Sequence, residues 1–257
     1  MKNFRYFFIL LSFLLISACT SNIKPDFQRE DAIYNQHLIE IFDGVHNFLN
    51  YRYGKFSVIE MYRDDNDTAL IFLHGRGLNP NEQNLIGPMR EGLSELGYNT
   101  YSIQLPVLKK GAKYDEYTNI FYDSSERIHT TFEYVKKRHK HIIVIAHSCG
   151  VHMLMSYIEK NNPPNNVSSI VLIGAGAVDK GQELNSPYPY EKIDVPILDI
   201  YGEFDFNLVI QESNKRATRI NEVNTKSKQI RIAGSDHYHT DNSNLVIEAV
   251  NTWLSFE

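Results

Sequence analysis

Short, unbroken apolar runs recur along the chain and are separated by segments with helical periodicity. Four of the runs cover residues 69–73, 141–146, 169–174 and 195–202, and weaker runs cover 57–62, 98–104 and 229–233. Strands that are buried on both faces have this pattern, because helices cover both sides of a parallel sheet. The runs therefore predict the strands of a mostly parallel sheet.

Helical signals fill the intervals between the runs. Pro88 suits a first helical turn and Gly97 suits the residue just past a helix end, which predicts a helix over 89–96. Val246, Val250 and Trp253 fall on one stripe of a final helix, at a spacing that is typical of core packing. Alternating strands and helices predict one α/β domain over residues 27–257, with about seven or eight strands and helices on both faces.

The first residues predict an export signal. Lys2 and Arg5 precede an apolar run over 7–16, and Ser17 and Ala18 stand directly before Cys19. The run is shorter than the roughly 20 apolar residues that a membrane span needs. The I-S-A-C segment resembles the bacterial lipobox, which implies a lipoprotein signal peptide over 1–18, a lipidated Cys19 and a tether over 19–26. The alternative is an ordinary signal peptide with a chance cysteine.

Composition and charge narrow the choice of partners. The chain of 257 residues is 42% hydrophobic and 22% charged, which is ordinary for a globular protein, and its net charge of −5 argues against a nucleic-acid surface. The two cysteines are Cys19 and Cys149, so a lipid on the first leaves no partner for a disulfide. We expect a lipid-anchored protein of the cell envelope. Thr20, in place of aspartate, indicates the outer membrane and a periplasmic domain in a Gram-negative organism.

The segment HIIVIAHSCGVHMLMSYIEK carries the strongest chemical signal. An apolar strand ends at Ala146, a tight turn contains Ser148, and a helical pattern follows Gly150. This is the strand–turn–helix context of a nucleophile elbow, whose turn needs very small residues two positions before and after the serine. The helix that follows points its N-terminus at the hydroxyl, which favours developing negative charge. The alternative is a turn with an incidental serine.

The order of elements and motifs resembles the α/β-hydrolase superfamily over roughly residues 55–257. More narrowly, LIFLHGRGLNPN, LSELGYNTYSIQLP and IAHSCG resemble a bacterial α/β-hydrolase-like family of unknown function. The superfamily resemblance implies the α/β-hydrolase fold and a Ser–acid–His hydrolase. Ala146 departs from the pattern, which usually has glycine at that position.

The other two members of the triad follow from chain order, which in this fold is serine, acid, histidine. Asp205 lies in the loop after the strand over 195–202, whereas its competitor Asp199 falls inside that strand and Glu203 is a second competitor. His237 lies between the last strand and the last helix, with His239 as the second choice. Ser148, Asp205 and His237 are therefore the predicted catalytic residues.

The oxyanion hole is predicted to use two backbone N–H donors. One is that of Cys149, directly after the nucleophile, and the other is that of Arg76, in the H-G-R-G segment that resembles the family's His-Gly motif. His74 is expected to organise this loop. A thiol nucleophile at Cys149 is not favoured, because the sequence places no base beside it.

A metal site is the main alternative for the histidines near the C-terminus. His237, His239 and Asp236 carry suitable ligands, but no further ligand cluster accompanies them, so neither a metal nor another cofactor is predicted. The long connections over 106–122 and 177–192 are rich in tyrosine. Their aromatic side chains fit an acyl pocket and equally fit ordinary surface loops.

The predicted function is that of an esterase- or lipase-like hydrolase of carboxylic esters, which works through an acyl-enzyme on Ser148. Its expected partners are an acyl-ester substrate and a membrane bound through the N-terminal lipid. The alternative from another class is a non-catalytic envelope lipoprotein that uses the same fold for binding or assembly.

Overall fold

The computed structural model describes residues 23–256, so the predicted signal peptide and Cys19 lie outside the described residues. The strands are β1 (Val45–Tyr51), β2 (Gly54–Met61), β3 (Thr68–Leu73), β4 (Asn99–Ile103), β5 (His141–His147), β6 (Val167–Ile173), β7 (Ile197–Phe204) and β8 (Lys228–Asp236). The helices are α1 (Phe27–His37), α2 (Ile86–Glu95), α3 (Tyr114–Tyr117), α4 (Phe121–Val135), α5 (Cys149–Lys160), α6 (Asn207–Gln211), α7 (Ser213–Val223) and α8 (Ser243–Leu254). None of these helices is long and apolar enough to cross a bilayer.

The strands form one sheet in the order β1-β2-β4-β3-β5-β6-β7-β8. Strand β2 runs antiparallel to both of its neighbours, and the remaining pairs are parallel. The prediction of a mostly parallel sheet of seven or eight strands is confirmed.

Successive side chains of the central strands enter two different cores. In β5, Ile142 and Val144 pack into the core beneath α4, α5 and α7, whereas Ile143 and Ile145 pack into the core beneath α2 and α8. Neighbouring residues of a strand point to opposite faces of the sheet. Because both faces are covered, both sets must be apolar, which explains the unbroken hydrophobic runs.

Helix α2 shows which of the local signals were accurate. It begins at Ile86, three residues before the predicted start, and Pro88 still lies in the first turn, where a missing N–H is tolerated. The end matches the prediction: Gly97 has φ +100° and donates to the Ser94 carbonyl at 2.9 Å, while Tyr98 donates to the Leu93 carbonyl at 3.1 Å. These two bonds form a Schellman motif. The residue just after the helix then has a left-handed backbone, which glycine adopts without strain.

Two elements at the sheet margin, α1 and β1, were not predicted. The buried residue of α1 is Glu30, and β1 is an edge strand in which only Leu49 is fully buried. Neither element therefore carries the apolar periodicity on which the sequence argument depends.

The carboxyl ends of the parallel strands meet at one edge of the sheet, where α/β proteins usually bind ligands. The turns after β3, β5, β7 and β8 carry Arg76, Ser148, Asp205 and His237 respectively. The start of α1 lies at this edge too, because the Asp26 N–H donates to the carbonyl of Val107, beyond β4, at 2.7 Å. We call this margin the catalytic edge.

Candidate active site

Ser148 occupies a strained turn between β5 and α5. Its backbone has φ 54° and ψ −118°, and its N–H donates to the Ile173 carbonyl at 2.8 Å. A positive φ is unfavourable for a residue with a side chain, and such strain collects at functional sites. The turn places the hydroxyl at the N-terminus of α5, as a nucleophile elbow does.

The two small residues that flank the Ser148 turn, Gly150 and Ala146, have different surroundings. A Cβ on Gly150 would lie 2.4 Å from the Leu73 carbonyl oxygen and 2.7 Å from that of His74, so only glycine fits there. Ala146 is completely buried inside β5, in register with Leu73 of the neighbouring strand. The departure from the usual glycine is therefore accommodated within the strand.

The three predicted triad residues are joined by hydrogen bonds. His237 Nδ1 donates to Asp205 Oδ1 at 2.6 Å, and His237 Nε2 lies 2.8 Å from Ser148 Oγ, the geometry for accepting the hydroxyl proton. All three side chains are buried. The structure thus brings together residues that are separated by 32 and 89 positions in the chain.

Asp205 is kept ionised by its surroundings. Burial works to raise the pKa of its carboxyl, but the hydrogen bond and charge of His237, together with two backbone hydrogen bonds, outweigh that effect. The backbone N–H groups of Phe206, at 2.7 Å, and Gly202, at 3.2 Å, add to the lowering. The pKa of Asp205 therefore lies below its usual value, and the carboxylate can hold the His237 ring in one tautomer.

The competing candidates are engaged elsewhere. Asp199 accepts a hydrogen bond from Arg216 Nε at 3.0 Å, deep in the sheet, and Glu203 accepts one from the Gly234 N–H at 2.8 Å. His239 has its Nδ1 within 2.8 Å of a neighbouring serine hydroxyl, four positions before it. Across residues 23–256, the structure contains no group of three or more His, Cys, Asp or Glu side chains that is arranged to hold a metal.

Cys149 does not have the environment of a reactive thiol. Its side chain is buried, and burial raises the pKa of the thiol to about 12. Reactive cysteines need a lowered pKa, because the thiolate is the nucleophile. As the first residue of α5, however, Cys149 has a backbone N–H without a partner inside the helix.

The second predicted oxyanion donor, Arg76, lies in a tight turn from Gly75 to Leu78. The Leu78 N–H donates to the Gly75 carbonyl at 3.2 Å, and Gly77 has φ +68°, as the third residue of a type II turn requires. A Cβ on Gly75 would lie 3.4 Å from Ser148 Cβ. This oxyanion turn, residues 75–78, therefore lies directly against the nucleophile.

His74 anchors the beginning of the oxyanion turn. Its Nδ1 donates to the Gly75 carbonyl at 2.7 Å, and its Nε2 accepts a hydrogen bond from the Leu105 N–H at 3.0 Å. Burial lowers the pKa of His74 to about 4, so the ring stays neutral and keeps both bonds. These contacts agree with the prediction that His74 organises this loop.

Three contributors to the site were not identified from the sequence. The Phe206 ring stacks on the His237 ring with centroids 4.0 Å apart, and His147 Nε2 donates to the His237 carbonyl at 3.0 Å. Gly174 leaves the space that the imidazole occupies. Two of the three adjoin predicted features, since Phe206 follows Asp205 and His147 precedes Ser148. Only the folded chain shows that they contact His237.

An open cleft of 590 Å³ adjoins the triad. Its lining includes Arg76, Asp179, Asp205, Phe206 and Leu208, so it reaches from the oxyanion turn to the triad acid. The Arg76 side chain is paired with Asp179, with Nη2 3.1 Å from Oδ1. The hydrogen bond from Arg76 lowers the pKa of Asp179 to about 2, so both charges persist at the rim.

The aromatic residues of the two long connections divide into two groups. Tyr114, Phe121 and Tyr188 line a separate cavity of 420 Å³ along α5, whereas Tyr117 and Tyr190 are buried and do not line it. Three of these aromatic residues therefore share one cavity that is separate from the cleft beside the triad, and an acyl pocket formed by the two connections stays a prediction.

No protein-family model matches the sequence, and no curated protein is similar to it in sequence. Its structure is similar to an esterase from Pyrococcus furiosus, with a TM-score of 0.65 at 18% identity, over 83% of this chain and 92% of that one. It is also similar to a dienelactone hydrolase from Anabaena variabilis (TM-score 0.63, 15% identity, 83% and 97% covered). A third neighbour is a serine hydrolase without lid from Xanthomonas campestris (TM-score 0.60, 13% identity, 84% and 95% covered). The chain has the predicted α/β-hydrolase fold, while the narrower resemblance to a family of unknown function stays a prediction.

Proposed function

We propose that this protein is a serine hydrolase of carboxylic esters. The observation that carries the proposal is the continuous hydrogen-bonded series from Ser148 through His237 to Asp205, next to an open cleft at the catalytic edge. Nucleophile, base and orienting acid within hydrogen-bond reach are the signature of covalent acyl transfer. The names of the similar structures, an esterase and two hydrolases, favour esters as the first substrates to test.

The proposed reaction has two halves. His237 Nε2 takes the hydroxyl proton of Ser148 as Oγ attacks the acyl carbon, and the protonated ring then gives that proton to the departing alcohol. A water molecule, deprotonated by His237, attacks the acyl-enzyme; the bond from the acyl carbon to Ser148 Oγ then breaks, His237 returns its proton to Oγ, and the acid is released. Asp205 fixes the tautomer and stabilises the imidazolium, for which its lowered pKa suits it.

The negative oxygen of each tetrahedral intermediate is assigned to the backbone N–H groups of Cys149 and Arg76. The first lies at the positive end of α5 and the second in the oxyanion turn beside Ser148. Removing one such donor from a serine hydrolase typically lowers turnover about 100- to 1000-fold.

Labelling with a fluorophosphonate probe tests the proposal directly. The full-length chain, purified in detergent, should be labelled, and Ser148→Ala should abolish the label. His237→Ala and Asp205→Asn should reduce the labelling rate by at least about 100-fold. Ser156→Ala, on the same helix as the nucleophile turn, is the matched control and should label normally. A folded wild type that resists the probe, or a label that survives Ser148→Ala, would refute the proposal in favour of a binding protein.

We further propose that Cys19 carries lipid and anchors the domain in the cell envelope, at the periplasmic face of the outer membrane in a Gram-negative organism. The support is the lipobox-like I-S-A-C segment with Thr20 after it. Metabolic labelling with an alkyne fatty acid in a bacterial host should mark the wild type and Cys149→Ala equally. Cys19→Ala should lose the label and the membrane association, and retention of both would contradict the proposal.

A further inference from the structure

We infer that Arg29, in the first turn of α1, is a positioning residue that holds the oxyanion turn in its reactive shape. The inference rests on the proposed function, because only a reaction through a negatively charged oxygen gives the turn a chemical role. The guanidinium of Arg29 is bound to the backbone carbonyls of Gly77 and Leu108. It therefore acts through the turn and not on the substrate.

The guanidinium of Arg29 joins two loops at the catalytic edge. Its Nη2 donates to the Gly77 carbonyl oxygen at 2.9 Å, and its Nη1 donates to the Leu108 carbonyl oxygen. The Leu108 N–H in turn donates to the Tyr117 hydroxyl at 3.0 Å. The outer carbonyl of the oxyanion turn is thus bound to the connection that follows β4.

Gly77 is the residue of the turn that most needs an external restraint. Its left-handed backbone, with φ +68°, suits glycine, but glycine also reaches many other conformations at little cost. A Cβ there would lie 3.3 Å from Arg29 Nη2 and 3.4 Å from the Tyr117 hydroxyl, so these groups close around the residue. The hydrogen bond from Arg29 selects one orientation of the Gly77 carbonyl and with it the placement of Arg76.

The first turn of α1 is fixed firmly enough to serve as a support. Asp26 Oδ1 accepts the Arg29 N–H at 3.0 Å, and the Asp26 N–H donates to the Val107 carbonyl at 2.7 Å. Glu30 pairs with the buried guanidinium of Arg127 at 2.9 Å and accepts the Val107 N–H at 3.2 Å. Since Glu30 is the buried residue of α1, the helix contributes polar contacts to this edge and little apolar packing.

Besides the clamp that Arg29 forms on the Gly77 carbonyl, a second clamp holds the same turn. The Arg76 side chain is paired with Asp179, whose Oδ2 also accepts the Tyr114 N–H at 2.8 Å. One clamp binds the side chain of Arg76 and the other binds the carbonyl of Gly77. Removing Arg29 leaves the Gly77 carbonyl, at the far end of the turn, without its restraint, which permits this peptide group to rotate.

Kinetics of Arg29→Ala in the full-length chain test the inference. Misplacement by about 1 Å costs roughly 100-fold, so we expect kcat to fall about 10- to 100-fold. KM should stay within about threefold, because the turn acts on the transition state. Millimolar guanidinium chloride should restore part of kcat, and sodium chloride at equal ionic strength should not.

The matched control is Arg63→Ala. Arg63 Nε also donates to a backbone carbonyl, that of Ser94 at 3.0 Å, but at the opposite edge of the sheet. This variant should keep wild-type kcat. An equal loss of kcat in both variants, or a loss in Arg29→Ala that appears in KM alone, would overturn the inference.

Hydrogen exchange separates this inference from the proposed function. Deuterium uptake of the peptide that covers residues 74–78 should rise several-fold in Arg29→Ala and stay unchanged in Arg63→Ala, whatever the activity. If Arg29→Ala exchanges faster but the wild type cleaves no ester, the clamp is supported and the proposed function is refuted. Unchanged exchange would refute the clamp even if the wild type is an active esterase.

Discussion

Gly174, just beyond β6, is the residue that gives the predicted base its space. Its φ is +63°, and a Cβ there would lie 2.8 Å from His237 Cε1 and 3.0 Å from Nδ1. Both distances are shorter than an ordinary van der Waals contact, and the imidazole is already held by Asp205 and Phe206. A methyl group at this position must therefore displace the ring.

Gly174→Ala should lower kcat by roughly 100-fold, since a shift of the base by about 1 Å breaks the alignment with Ser148. Gly176→Ala is the matched control, because Gly176 has φ +89° and nothing within 4 Å of its Cβ position. Both substitutions should destabilise the fold by about 1–2 kcal/mol through their left-handed backbone. Steady-state kinetics and urea unfolding measure the two effects. An equal loss of activity in the control would show that backbone strain, and not the contact, is responsible.

Sequence reasoning reached the reactive groups at this scale but not their supports. Ser148 and Asp205 follow strongly apolar strands, and His237 follows a weaker run just before the final helix, so their places in the chain order could be predicted. Phe206 and His147 are ordinary residues in sequence, and their contacts with His237 depend on the distance between strand ends. Such distances arise only from the packed sheet.

At the level of elements, a buried ion pair joins β7 to α7, and its carboxylate also binds a side chain of β8. Asp199 of β7 accepts hydrogen bonds from Arg216 Nε of α7 at 3.0 Å and from Gln229 Nε2 of β8 at 2.7 Å. Asp199 and Arg216 are both buried. The pair fixes α7 against the sheet, and the Gln229 contact joins β7 to β8 near the amino ends of both strands, away from the catalytic edge.

Arg216→Ala should destabilise the protein by about 3–5 kcal/mol, because it leaves the Asp199 carboxylate buried without its counter-ion. Arg219→Ala, on the same helix, removes an exposed arginine that lies 3.9 Å from Glu191. Its unfolding midpoint should stay close to that of the wild type. Urea unfolding monitored by circular dichroism makes the comparison, and similar midpoints for the two variants would argue against this assignment of the pair.

The elements that could be predicted are those that bury apolar side chains. All seven predicted strands are present, and the end of α2 matched because Gly97 carries an unambiguous local signal. Helix α1 and strand β1 were missed because their contacts are mostly polar or at the edge. Arg29, which is proposed to support the oxyanion turn, therefore lies in an element that the sequence pattern did not predict.

Considered as a whole, the molecule keeps neutral, buried histidines beneath its catalytic edge, among them His74, His147 and His152. Burial lowers the pKa of His74 and His152 to about 4, and burial together with the nearby His237 lowers that of His147 to about 3. Each ring is hydrogen-bonded to a backbone carbonyl in its neutral form. Protonating any of them would place an uncompensated charge in the interior.

The fold should consequently lose stability in mild acid. In the unfolded chain these histidines bind protons below about pH 6.5, whereas the folded protein resists protonation down to pH 3–4. The unfolded state therefore binds more protons in that window, and the free energy of unfolding must fall as the pH falls through it. Urea titrations between about pH 7 and pH 5, above the carboxylate range, measure the slope.

His152→Asn provides the matching variant, because it removes one titrating ring while keeping a polar side chain near the Ala177 carbonyl, which His152 Nε2 contacts at 2.7 Å. Its free energy of unfolding should vary less steeply with pH than that of the wild type, even if it is lower overall. A wild-type value that stays constant or rises on acidification would contradict the assignment of neutral buried rings.

If Cys19 carries lipid, as proposed, the position of Asp26 brings one margin of the domain close to the membrane. Asp26 is bound to Val107 at the catalytic edge, and the segment from Cys19 to Asp26 spans at most about 25 Å when fully extended. On the proposal that Cys19 carries lipid, the cleft lies beside the bilayer and not on the distal side of the domain. Encounters with substrate then take place in a thin layer above the membrane, where surface density, more than bulk concentration, sets the rate.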